Sequence, residues 1–176
     1  MKNSSLVYLR AHCLDDYLIS IDWRNDDQIW SRLEGCKYYV SDSYEKKWIE
    51  DAIFDGKNIR LAVCLKDGNR YIGNVSITNI NTANRSGTSN ILIGDHSCWG
   101  RGIGAEAYCL LLDYAFNERG FHRIEARVLE DNIASLKMHQ KCGYHVEGTL
   151  RESVFKNGRW QNQVVLSILE NEFRQL

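Results

Sequence analysis

Three glycines crowd one short segment, Trp99-Gly100-Arg101-Gly102-Ile103-Gly104-Ala105-Glu106, at the junction between a strand-like apolar run and the most regular helical pattern in the chain. Bare Cα atoms let a backbone turn through positive φ and aim successive N–H groups at one point, and a helix beginning there adds the positive end of its dipole. The junction is therefore a candidate anion site, with Arg101 supplying a further charge. The plain alternative is a tight turn with nothing bound, but this density of glycine favours a ligand. After the loop, Gly102 to Glu118 carries Ala105, Tyr108, Leu111, Leu112, Ala115 and Phe116 at helical period, and Arg119-Gly120 closes the helix.

The remaining patterns arrange themselves around that junction. Leu6 to Arg10 reads as an opening strand, and Asp15 to Trp30 as one helix. A second helix runs from Tyr44 to Phe54 with Ser43 as its cap. Ile59 to Lys66 and Tyr71 to Ile80 form an antiparallel hairpin across Asp67-Gly68-Asn69-Arg70. A strand from Thr88 to Ile93 leads into the glycine loop. Ile124, Ala126 and Val128 then alternate with Arg123, Glu125 and Arg127 in a strand, and a short helix spans Asn132 to Lys141. Tyr144 to Phe155 and Trp160 to Leu169 close as a hairpin through Lys156-Asn157-Gly158-Arg159. The sum is an α/β chain, a mixed, partly antiparallel sheet flanked by helices, expected to fold over 1–176 as a single domain.

Composition removes several function classes. The 22 basic and 23 acidic side chains leave a formal charge of −1, without the basic excess of a phosphate-neutralising protein, so nucleic acid is not an expected partner. The longest apolar run, Ala107 to Leu112, is far short of a membrane span, and the N-terminus lacks the apolar stretch of a secretory signal. A cytoplasmic protein is expected. The 6 cysteines make no C-x-x-C pair and read as reduced, with no zinc site and no metal expected.

Gly100-x-Gly102-x-x-Ala105 also fits a dinucleotide fingerprint, with Glu125 near the spacing of a ribose-binding acid. Against a nicotinamide cofactor, antiparallel hairpins precede the loop and too little chain follows it for two mononucleotide-binding halves. Glu125 also sits at a solvent-facing position of an alternating strand.

An ordered series of motifs resembles the GNAT superfamily of N-acetyltransferases, and within it the RimJ/RimL-like branch. The series is Ile91-Leu92-Ile93, Trp99 to Ala107, Asn132-Ile133-Ala134-Ser135, Lys141-Cys142-Gly143-Tyr144, Gly148 to Glu152 and Asn157 to Trp160, with Trp23-Arg24-Asn25-Asp26 as a looser N-terminal match. The resemblance implies a GNAT-like fold whose central, mostly antiparallel sheet has splayed strands. It implies that acetyl-CoA is the co-substrate, its pyrophosphate cradled by Gly100, Arg101, Gly102, Ile103, Gly104 and Ala105. The strand at Leu92 and Ile93 would pair with the pantetheine amides, with Trp99, Asn132 and Ser135 beside the cofactor arm. Asn132 also reads as a helix N-cap, and Ser135 as an exposed helix serine.

Acetyl transfer needs a neutral amine, a donor for the oxyanion and a proton for the departing thiolate. Where the family often carries a tyrosine before its Gly-Phe pair, this chain has His139, a candidate acid that also reads as a structural helix histidine. The glutamate that many relatives carry before the loop is replaced by Ser89, beside Asn90, and either could position a water. That substitution keeps a catalytically degenerate CoA-binding module as the alternative. The expected acceptor is a primary amine of a small molecule, such as a polyamine or amino sugar, or of a protein N-terminus. Asp22, Asp26, Asp27 and Glu34 could hold a cation, and Trp30, Tyr38 and Tyr39 could stack on a sugar; their plain readings are a solvated face and core. A homodimer is expected from symmetry base rates.

Overall fold

The computed structural model describes residues 5–175. Strands β1 (Val7–Arg10), β2 (Ile59–Leu65), β3 (Tyr71–Asn81), β4 (Ser86–Ile93), β5 (Arg123–Leu129), β6 (His145–Lys156) and β7 (Arg159–Leu169) form one sheet in the order β1-β2-β3-β4-β5-β7-β6. Every pairing is antiparallel except β4 with β5. The helices are α1 (Tyr17–Asn25), α2 (Asp27–Arg32), α3 (Asp42–Phe54), α4 (Ile103–Asp113), α5 (Ile133–Lys141) and α6 (Glu170–Phe173). None is long and apolar enough to cross a membrane.

The alternation read in β5 is what the sheet uses, for Ile124, Ala126 and Val128 are buried in the core with α4. From α4, Ile103, Ala107, Tyr108, Leu111 and Leu112 bury their side chains in the same cluster. At about 1.5–3 kcal/mol per large apolar side chain, this burial fixes the helix, and with it the glycine loop at its start, firmly to the sheet. Rather than continuing regularly to Glu118, the helix widens after Asp113 into one π turn, Tyr114–Glu118, where Arg119 N donates to Tyr114 O at 3.1 Å.

The N-terminal half departs further from the expected elements. The helix expected over Asp15 to Trp30 is broken at Asp26, whose extended backbone and side chain start a new helix by accepting from Gln28 N at 2.7 Å and Ile29 N at 3.1 Å. A carboxylate satisfying two free amides competes successfully with continuing the helix. Likewise α3 is capped by Ser41, which accepts from Tyr44 N at 3.2 Å, rather than by Ser43. Gly94, at the end of β4, lies against the indole of Trp23, where a Cβ would come within 1.9 Å of the ring. That contact seats α1 on the face of the sheet opposite α4.

Between β1 and α1 sits a buried charge cluster. Asp16 accepts a bidentate pair from Arg10 at 2.8 and 2.7 Å and the Cys13 N–H at 2.9 Å, and its Oδ2 lies 3.2 Å from His12 Nδ1. Burial alone would raise the Asp16 carboxyl, but these donors together hold it well below the usual carboxylate range. A depressed carboxyl contributes stability above its unfolded value, about pH 4, that is lost as the pH falls toward its folded value. Asp16→Asn should cost on the order of 2 kcal/mol at pH 7 in urea denaturation, with the gap to the parent protein narrowing as the pH falls below about 4.

Candidate functional site

Strands β4 and β5 pair at only three positions, Ser86 with Arg123, Gly87 with Ile124 and Thr88 with Glu125. Beyond them the strands part. Because β3 bonds only one side of β4, alternate backbone groups of Ser89 to Ile93 face the opening. One is already in use, since the Trp99 indole donates to Ile93 O at 2.7 Å. The opening continues into a cleft of about 870 Å³ that runs to the glycine loop.

At the loop, Gly100 and Gly102 have φ of 73° and 80°, and Gly102 is the left-handed residue that begins α4. A Cβ at either would meet nothing within 4 Å, so the constraint is backbone conformation and not space. Arg24, Arg32, Arg127, Lys137 and Lys141 line the cleft as cations, against Glu34 as a carboxylate. This balance suits a long, anionic ligand. The loop is braced from the acceptor side: Arg32 stacks 4.3 Å from the Trp99 ring, His96 stacks on it at 4.1 Å, and His96 Nε2 lies 3.0 Å from Asp26 Oδ2.

The expected site residues mostly meet here. Ser89, Asn90, Leu92, Ile93, Trp99 and Gly100 all border the cleft, as do Gly102, Gly104, Ala105, Asn132, Ser135 and His139. Two point elsewhere. The Ile103 side chain is 1% exposed in the core, leaving its backbone as the part available to the loop, and Arg101 donates to Ser97 O at 3.3 Å from an exposed position. Asn132 caps α5 through Ser135 N at 3.2 Å and also donates to Arg32 O at 3.1 Å. Of the acceptor candidates, Trp30, Glu34 and Tyr38 line the cleft, whereas Asp26 caps α2, Asp27 pairs with Lys37, and Tyr39 is 90% exposed. Asp22 is exposed. Glu125 pairs with Arg127 at 3.1 Å and Arg123 at 3.7 Å on the surface of β5.

Behind the cleft wall lies a buried hydroxyl chain that periodicity could not show. His139 Nδ1 is 2.8 Å from the Ser135 carbonyl, which only accepts, so the ring proton sits on Nδ1. Nε2 is then the acceptor for the Tyr108 hydroxyl at 3.0 Å. Tyr108 Oη meets Ser89 Oγ at 2.5 Å, and Ser89 Oγ meets Tyr144 Oη at 2.8 Å and the Glu125 carbonyl at 3.0 Å. Burial pushes the His139 imidazole below its ordinary value, against the opposing Ser135 carbonyl, so the ring is neutral at pH 7. Burial likewise raises both phenols. Ser89 is thus engaged on the core side, while Asn90 points to the other face, toward Ser76 Oγ at 3.4 Å and Thr78 Oγ1 at 3.3 Å. In sequence Tyr108 and Tyr144 count only as apolar positions, and a spacing pattern carries no hydroxyl partners. Tyr108→Phe would strand His139 Nε2 and one Ser89 contact, costing about 1–2 kcal/mol and a few degrees in melting temperature by calorimetry.

Residues 7–145 match the family model described as an acetyltransferase (GNAT) domain. The chain is 32% identical over 151 residues to the Probable N-acetyltransferase YjcK of Bacillus subtilis (strain 168), covering 83% of this chain and 82% of that protein. It is 28% identical over 157 residues to the spermidine N(1)-acetyltransferase of Escherichia coli (strain K12), covering 86% and 83%. The crystal structure of spermidine N-acetyltransferase from Vibrio cholerae in complex with CoA and spermine superposes with a TM-score of 0.89 at 27% identity, covering 97% of this chain and 99% of that one.

Proposed function

The chain belongs to the GNAT acetyltransferase family and transfers an acetyl group from acetyl-CoA to an amine, and we propose that the amine is that of a polyamine. The observation that carries the reading is the single cleft running from the left-handed glycine loop along the free edge of β4 to Glu34. Its cationic lining suits the phosphates of the cofactor, and the relatives named for spermidine acetylation in two organisms support the acceptor class. The Trp99 to Ala107 and Lys141 to Tyr144 motifs support placing it in the RimJ/RimL-like branch.

The residue roles we propose follow from placement. Backbone amides from Gly100 to Ala105, at the start of α4, hold the pyrophosphate. The edge of β4 at Leu92 and Ile93 takes the pantetheine amides as an added strand would, apart from Ile93 O, which the Trp99 indole holds, and Asn132 and Ser135 flank that arm. Asn90, exposed beside the opening of β4, holds the water that receives the proton of the attacking amine. His139, on the cleft wall, supplies the proton for the departing thiolate from its ring protonated by solvent, a form that burial makes scarce at pH 7. Attack forms the C–N bond, collapse breaks the C–S bond, and the nitrogen loses one proton as sulfur gains one.

Three measurements test this reading. Thiol release with acetyl-CoA should show turnover of spermidine and spermine; binding of acetyl-CoA with turnover of amino sugars or peptide N-termini alone would overturn the polyamine assignment. Gly102→Val, strained at φ of 80°, should abolish acetyl-CoA binding in calorimetry while the circular dichroism spectrum is kept. His139→Phe should lower kcat about 100-fold with acetyl-CoA affinity unchanged, and unchanged kcat across pH would remove the acid role.

A further inference from the structure

On the face of the sheet opposite α4, a second cavity of about 180 Å³ adjoins the cleft and shares Arg24, Leu33, Asn90, Ile91 and Leu92 with it. Asn74, Ser76 and Asn90 from the sheet line it together with Trp23, Trp48, His12 and Glu45. Two buried acceptors there have no donor. His12, whose side chain is 0% exposed, turns Nδ1 to the Asp16 carboxylate, and its Nε2, a lone pair in the Nδ1–H tautomer, has no partner. Glu45 is also 0% exposed: its Oε1 takes the Ser20 hydroxyl at 2.6 Å, but Oε2 receives no hydrogen bond. Arg24 Nε forms an ion pair with Oε2 at 3.4 Å but lacks hydrogen-bond geometry toward it. The other cation on the cavity, Arg60, is engaged with Asp55 at 3.6 Å and stacked 5.6 Å from the Trp48 ring.

Buried acceptors that lack donors are costly, and here two of them belong to side chains that line one space together with two indole rings. The partner that completes them gives hydrogen bonds, accepts none and carries positive charge, which describes an ammonium group. Arg60, Ser76 and Asn90 stand in one register row of β2, β3 and β4, so the Arg60 border of the cavity, where Trp48 and then His12 follow, lies two strand spacings, about 10 Å, from Asn90. An acceptor filling both ends therefore needs its nitrogens separated by several methylenes. We propose that this cavity is the subsite for the far, unreacting ammonium of the polyamine, held by Glu45 and His12 while the near amine is acetylated beside Asn90. The assignment rests on the polyamine reading above.

The test compares spermidine with N-pentyl-1,3-diaminopropane, which is spermidine with its aminobutyl ammonium replaced by methyl, in thiol-release kinetics. The unaltered protein should show a KM at least about 10-fold higher for the clipped amine, and Glu45→Gln and His12→Gln should each bring the ratio of the two KM values toward one. Retained acetyl-CoA binding reports that each variant is folded. Spermidine turnover with equal KM values in the unaltered protein, or folded variants that keep the full ratio, would overturn the subsite and leave the polyamine reading standing. Should either variant fail to fold, the comparison in the unaltered protein decides alone. Turnover of other amines but not spermidine would overturn both.

Discussion

The parting of β4 from β5 is the constraint on which the rest of the molecule depends. Parallel strands joined by a helix would ordinarily stay paired along their length, satisfying each backbone group. Here they pair at three positions and then diverge, so a run of peptide groups inside the sheet is left for something that is not protein. α4 packs on one face and α1 and α3 on the other, and each half of the sheet is anchored separately, β5 through β7 and β4 through β3. The opening therefore persists without a ligand to prop it.

Each end of the opening is built from a different physical resource. At the loop it is backbone: two left-handed glycines and a helix start, with side chains acting mainly as braces, as Arg32 and His96 do on either side of Trp99. At the opposite end it is buried polar side chains whose mutual bonding is incomplete. Between them, the His139–Tyr108–Ser89–Tyr144 chain is closely bonded, which lines the cleft wall with hydroxyl dipoles and no buried carboxylate.

Much of this was legible in sequence because it is local. The glycine loop, the helix behind it, the alternation of β5 and the two hairpins follow from short-range propensity, and the ordered motifs that resemble the acetyltransferases lie in the same stretch. What stayed hidden is long-range. Nothing between Ser86 and Ile93 announces that pairing with β5 ends at Thr88, since that is decided by how two distant halves pack. Asp26 breaks what reads as one helix and Ser41 takes the cap that the sequence assigns to Ser43, both because of where the next helix has to lie. Tyr108 reads as one more apolar helix position, yet its hydroxyl joins His139 to Ser89 across 31 and 19 residues. His12 and Glu45 are ordinary polar letters until the fold buries them.

The free edge of β4 bears on how this protein behaves in a crowded solution. An unpaired strand edge is normally a template on which other chains add strands and aggregate. This one lies in the interior of the sheet, inside a fork closed at Thr88 and flanked by β5, so a second polypeptide cannot approach it broadside. A slender linear molecule can still enter lengthwise, and the same divergence that exposes the backbone thus filters, by shape, what is permitted to reach it.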